Sequence, residues 1–136
     1  MFTILEHTAD IGLRAWGESL EEMFANAAAA LVSIAMEIGE ARDEDPYPLA
    51  AEGEDLESLL VNWLSEVLYY VDGQRVALKR FVVEEVAEHS VRGVSWGEPR
   101  DDARHPPKLV VKGVTYHQLR IVHEPGRWTC EVYLDI

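Results

Sequence analysis

The chain has 136 residues, 48% of them hydrophobic, which suits one domain (1–136) around one core. Twelve Lys and Arg against 25 Asp and Glu give a formal net charge of −13; such a surface repels phosphate backbones and lacks the basic stripe of a nucleic-acid binder, so any RNA would be held by a partner protein. Polar residues interrupt every apolar stretch, which argues against a membrane-spanning helix; the first residues lack the pattern of a secretory signal; and the single Cys130 allows neither an intrachain disulfide nor a cysteine zinc cluster, so a reduced, cytoplasmic setting fits.

In chain order, Phe2 to His7 reads as a short strand. Ile11, Leu13 and Ala15 then alternate with Gly12, Arg14 and Trp16 at the period of a half-buried strand. Ser19-Leu20-Glu21-Glu22 forms a capping box, in which Ser19 accepts from an early helical N–H and Glu22 reaches back. Leu20, Met23, Phe24, Ala27, Ala28, Leu31 and Ala35 follow at helical spacing, with Gly39 as the stop. Residues 40–46 are charged, end in Pro46 and read as a loop, followed by a strand-like piece from Tyr47 to Glu52. Asp55 caps a second amphipathic helix defined by Leu56, Leu59, Leu60, Trp63, Leu64, Val67, Leu68 and Val71 and ending before Asp72-Gly73. Val76 to Glu88, Val91 to Gly97 and Lys108 to Glu124 carry strand pattern, and Gln118 to Leu134 forms a hairpin turning at Glu124 to Arg127. The expectation is an α+β fold with two amphipathic helices packed on one face of a mostly antiparallel sheet.

Familiar catalytic signatures are missing: there is no P-loop, dinucleotide fingerprint, H-E-x-x-H or G-x-S-x-G. The end of the chain is more informative. If the last strand pairs antiparallel with the strand at Ile11, Asp10 falls opposite Asp135, and the Ile136 terminal carboxylate lies beside them. Two like charges about 4 Å apart repel by roughly 4 kcal/mol at an effective dielectric near 20, so three such groups call for a cation, and hard divalent ions take oxygen ligands of this kind. Acidic residues at strand ends are ordinarily solvated, so spacing alone assigns no metal. His7, His105, His117 and His123 lie on separate elements without helical i, i+4 pairing, a weak zinc pattern; His7 and His117 read as hydrogen-bonded structural residues. Lys112, in a lysine-poor chain, could reach a phosphate or an acidic group on a partner. Trp16, Trp63, Trp96 and Trp128 read as core and edge packing, and Cys130 as a small core side chain.

The run His7-Thr8-Ala9-Asp10-Ile11-Gly12-Leu13-Arg14-Ala15-Trp16-Gly17 with Ser19-Leu20-Glu21-Glu22 resembles the N-terminal signature of the archease family. Gly53 to Leu60, Trp96-Gly97-Glu98, Lys112 to His117 and the terminal Asp135-Ile136 resemble later family motifs, in family order and at matching separation. The resemblance implies a sheet covered by helices with an inserted strand-helix-strand-strand unit. It also implies a non-catalytic activator of the GTP-dependent tRNA-splicing RNA ligase. Such an activator promotes guanylylation of the ligase's histidine and multiple turnover, and can broaden nucleotide specificity, meeting RNA and GTP only through the ligase. The family's metal positions match Asp10, Asp135 and Ile136, with calcium the implied ion and magnesium or manganese as alternatives; its functional lysine matches Lys112. Two readings from other classes stand beside it: a chaperone-like modulator of RNA-modifying enzymes, and a small metal-dependent phosphoester hydrolase.

Overall fold

The computed structural model describes residues 1–6 and 10–136. His7, Thr8 and Ala9, which open the N-terminal signature, lie outside the described residues. The elements run β1 (Phe2–Glu6), β2 (Asp10–Gly17), α1 (Leu20–Ala35), β3 (Asp45–Glu52), α2 (Leu56–Leu68), β4 (Val76–Val86), β5 (Ser90–Pro99), β6 (Gly113–Glu124) and β7 (Arg127–Asp135). The strands fall into two antiparallel sheets rather than one, ordered β1-β2-β7-β6 and β3-β5-β4. The second sheet, with α2, is the inserted strand-helix-strand-strand unit, carried between α1 and β6.

Both helices pack against strands of both sheets: α1 against β2 and β4, α2 against β3 and β6. This differs from two helices lying on one face of a single sheet, and the sequence of α1 gives the reason. Its buried residues, from Met23 and Phe24 through Ala27, Ala28, Ala30, Leu31 and Val32 to Ile34 and Ala35, cover more than one helical stripe. A helix apolar over so wide an arc needs cover on more than one side. A single hydrophobic cluster, with Leu13, Phe24, Leu31, Trp63, Leu78 and Leu134 among its members, therefore joins both sheets.

Local signals explain most boundaries. Ser19 Oγ accepts from the Glu22 N–H at 3.1 Å, while Glu22 Oε2 reaches back to the Glu18 N–H at 2.8 Å, one residue before the cap. The helix α1 stops at Ala35, four residues ahead of Gly39, because Met36 turns extended and bridges to Pro107. Asp55 and Ser58 form a complete capping box on α2. Beyond Leu68 the chain winds into a π-helical turn, Tyr69–Gly73, closed by the Gln74 N–H on the Tyr69 carbonyl at 2.9 Å. The strand β3 begins at Asp45, so that Asp45 and Pro46 of the expected loop join the expected strand, which itself contains Pro48. It is an edge strand, the place where a missing N–H is tolerated. The β6–β7 hairpin turns at Pro125-Gly126, with Gly126 at φ 73° supplying the left-handed corner.

One buried polar network pins the connection before β6. Glu98 accepts from Arg104 Nη1 at 2.5 Å, from the Arg42 N–H at 2.7 Å and from His105 Nε2 at 3.0 Å. His105 is fully buried, and its Nδ1 accepts from the Asp101 N–H at 3.0 Å, so the ring hydrogen sits on Nε2. The Arg104 guanidinium, with the Arg42 N–H and His105 adding to it against the cost of desolvation, holds the Glu98 carboxyl down from 4.5 to about 2. A carboxyl whose folded value lies below its unfolded one contributes stability in full above the unfolded value and loses it as pH falls toward the folded one. The expected result is that Glu98→Gln melts below the wild type at neutral pH, and that the gap narrows as pH is lowered from 4.5 toward 2. Thermal melts followed by circular dichroism across that range check it; a pH-independent gap would assign Glu98 a purely steric role.

Candidate functional site

The pairing of β2 with β7 runs in unbroken register from Asp10↔Asp135 to Gly17↔Trp128. Directly opposed residues of an antiparallel pair project to the same face, with Cβ atoms about 4.5–5.5 Å apart. The inward set is Ile11, Leu13 and Ala15 with Leu134, Val132 and Cys130, all buried. Asp10 and Asp135 therefore belong to the outward set, at the end of the sheet where β2 begins and β7 finishes. Asp10 is partly buried and Asp135 is exposed. Gly113 pairs with Asp135 on its other side, and the Lys112 N–H donates to the Asp135 carbonyl at 2.7 Å, so the lysine flanks the aspartate pair with its side chain exposed. Ile136 packs against the core, which anchors the chain end beside the pair.

Further residues of this face join Gly12 and Arg14 of the N-terminal signature to Tyr133, Glu131 and Arg120, which belong to no recognised motif. Tyr133, one step inward from Asp135, lies across from Gly12, where an added Cβ would come within 2.7 Å of Tyr133 Cε1. Glycine at position 12 thus makes room for the phenol ring next to the acidic pair. Another step along, Arg14 Nε donates to Glu131 Oε1 at 3.0 Å, and Arg120 Nη1 approaches Glu131 Oε2 at 3.7 Å. Alternation alone predicts that these residues share a face; only the β2–β7–β6 order shows that they share a patch.

Among the described residues, no group of three or more His, Cys, Asp or Glu side chains is placed to hold a metal ion. Two aspartates with oxygen donors are an incomplete set for a hard cation, which takes six or more oxygens. The histidines do not converge. His105 is committed to Glu98, His123 stacks on Trp128 with ring centroids 3.8 Å apart, and His117 is exposed on β6, where its backbone N–H donates to Thr115 Oγ1 at 3.1 Å; His7 lies outside the described residues. Of the tryptophans, Trp63 is fully buried and donates to the Phe24 carbonyl at 3.0 Å, whereas Trp96 carries Arg80 over its ring at 3.9 Å and Trp16 carries Arg127 at 5.0 Å. Burial pushes the Cys130 thiol up to about 12, so it is no nucleophile. No described helix is long and apolar enough to cross a membrane.

The profile of the Archease protein family (MTH1598/TM1083) matches residues 2–136. The chain belongs to the archease family. It is 38% identical to protein archease of Methanosarcina mazei over 139 residues, covering 99% of this chain and 95% of that protein. It is 39% identical to protein archease of Pyrococcus abyssi over 135 residues, covering 96% and 95%. The solution structure of Methanobacterium thermoautotrophicum protein 1598 superposes with a TM-score of 0.83 at 30% identity, covering 99% of this chain and 98% of that one. The crystal structure of a Thermotoga maritima archease, described as a possible chaperone, shares the fold with a TM-score of 0.66 at 18% identity, covering 97% and 94%. In this chain the aspartate pair lies where the first long strand of the fold meets the last.

Proposed function

We propose that this archease is a non-catalytic activator of the GTP-dependent tRNA-splicing RNA ligase, acting in the cytoplasm to promote guanylylation of the ligase and multiple turnover. The observation that carries the reading is the register that sets Asp10 against Asp135 with Lys112 alongside. Asp10, Asp135 and the Ile136 carboxylate would hold a divalent ion, calcium by preference, with magnesium or manganese as alternatives. Their oxygen-only chemistry fits such an ion, and because they fill only part of its coordination sphere, other positions stay open to water or a partner's oxygens. When bound, the ion supplies charge neutralisation near a triphosphate.

This chain's own residues do the rest. The two strands fix the aspartates at one sheet end, the Lys112 side chain offers a cation to an acidic or phosphoryl group across the interface, and the acidic surface keeps RNA on the ligase. A tenfold gain in guanylylation corresponds to only about 1.4 kcal/mol, within reach of one charge-assisted contact. Stimulation of ligase–guanylate formation is to be compared for the wild type, Asp10→Ala, Asp135→Ala, Lys112→Ala and a one-residue C-terminal extension. The expected result is loss of stimulation in both aspartate variants, and equal stimulation by all five proteins would discard the mechanism.

A chaperone-like reading has one observation in its favour: Tyr69 and Val110 are exposed apolar residues that line one groove with Lys112. It predicts that Val110→Ser, and not Asp135→Ala, removes the effect on the ligase.

A further inference from the structure

A second site emerges from the residues around the π-helical turn. A cleft of about 150 Å³ lies between that turn and the connection leading to β6, and its polar walls are Asp72, Arg75, Arg100, Asp102 and Lys108. Three of the chain's twelve Lys and Arg line this one small space, against two carboxylates, in a protein whose net charge is −13. The lining residues by themselves thus sum to +1, before the exposed Glu37 that pairs with Lys108 is counted, in a strongly negative molecule.

Arg100 is the unusual member. Its Nη1 donates to the Val71 carbonyl at 3.2 Å, yet its Nε is buried without a hydrogen-bond partner among the described residues. A buried unpaired donor is costly, and more so on a charged group. Neighbouring charges do not compensate it fully: burial first, and Arg75 second, pull the guanidinium below its ordinary range, with Asp102 and Asp72 opposing. Arg75 is held beside it by the Arg100 N–H on the Arg75 carbonyl at 2.8 Å. Arg75 also adopts φ 58°, a left-handed conformation that a non-glycine residue takes at a cost. Its guanidinium pairs with Asp102 at 2.8 Å, and Lys108 Nζ is 3.5 Å from the exposed Glu37. A π-helical turn, a left-handed arginine and an unpaired buried guanidinium N–H thus coincide at one cleft.

We propose that this cleft is a binding site for a single oxyanion, a phosphoryl or carboxylate group, received by the Arg100 guanidinium with Arg75 and Lys108 at the rim. A planar guanidinium presents paired N–H donors that match two oxygens of such a group; the oxyanion meets Arg100 through its Nη groups and brings negative charge beside the enclosed, unpaired Nε. The apolar wall at Val110 and Val111 continues from this cleft into the groove that Lys112 lines. The site is distinct from the aspartate pair in charge and in residues, and it stands or falls independently of the ligase reading.

The Arg100 Nε–H signal in a proton–nitrogen correlation spectrum reports negative charge arriving beside the guanidinium. The ¹⁵N-labelled protein is titrated separately with sodium phosphate, sodium acetate and sodium chloride at matched ionic strength. A saturating shift of the Arg100 Nε–H signal with phosphate or acetate, absent with chloride, is the expected result, and the more effective anion identifies the phosphoryl or the carboxylate source. Arg100→Gln is expected to weaken the response of the residue 108–111 amides about tenfold, the effect of one lost charge-assisted contact. Shifts no larger than those with chloride overturn the proposal. So does an unchanged response of those amides in Arg100→Gln. If that variant does not fold, the wild-type titration alone decides.

Discussion

Trp63→Ala is expected to lower the free energy of unfolding by about 3–5 kcal/mol, the range for truncating a fully buried large aromatic residue. The indole projects from α2, donates its N–H to the Phe24 carbonyl on α1, and reaches β5, where a Cβ added at Gly93 would lie 3.3 Å from Trp63 Cη2. One side chain thus joins both helices to the inserted sheet. Its removal leaves a cavity among residues that approach from three elements and are each held by their own backbone, so relaxation cannot fill it. Domains of this size are stable by about 5–15 kcal/mol in all, so the loss takes a large share of the total. Trp63→Phe keeps most of the volume and forfeits the hydrogen bond, and should fall between the two. Urea denaturation checks this, with a lowered midpoint and an unchanged slope as the expected pattern. A change below about 1 kcal/mol would mean that the two helices close over the gap.

The second large effect concerns the aspartate pair. If Asp10 and Asp135 hold a divalent ion in the folded state only, calcium raises stability by mass action, by about 2.7 kcal/mol at a hundred times the dissociation constant. For a domain of 100 residues or more this is a rise of several degrees in melting temperature. Asp10→Asn with Asp135→Asn should abolish the calcium-dependent increment, because an amide pair offers neutral oxygens in place of two charges. Arg14→Gln breaks the ion pair with Glu131 further along the same face and should leave the increment intact, so the effect maps to the end of the sheet rather than to charge in general. Melting temperatures measured with chelator and with increasing calcium, magnesium or manganese decide the matter and rank the ions. An increment that persists in the double variant would remove these two residues from metal binding while leaving the family assignment untouched.

Both predictions rest on features of different legibility. The helices were readable because burial imposes a period: Leu59, Leu60, Trp63, Leu64 and Val67 recur as an amphipathic helix requires, and Ser19 and Asp55 mark the starts with side chains suited to orphan N–H groups. The β6–β7 hairpin was readable from Pro125-Gly126, whose backbone preferences make the corner. The body of strand β3 was readable from Tyr47 to Glu52, but its start was hidden because Pro46 normally argues against a sheet and only the edge position makes it acceptable. The ending of α1 was misplaced because no local breaker stops it at Ala35. The bridge from Met36 to Pro107, far along the chain, does so.

The amino-acid order by itself determined what depends on neighbours in the chain: the α+β class, the two helices, the last hairpin, the acidic surface and, through motifs in order, the family. It could also name Asp10, Asp135 and Lys112, because each falls within a recognisable motif. Tertiary structure alone decided which strand lies beside which, hence that the strands divide into two sheets and that Asp10 faces Asp135 with Lys112 tied to the same strand end. It alone gathered Glu98, Arg104 and His105 into a buried network, and Arg75, Arg100 and Lys108 around one cleft. The physical reason is range. Period, capping and turn chemistry act over a few residues, whereas charge pairing and donor satisfaction depend on distance through space, which no spacing along the chain encodes until the core has closed.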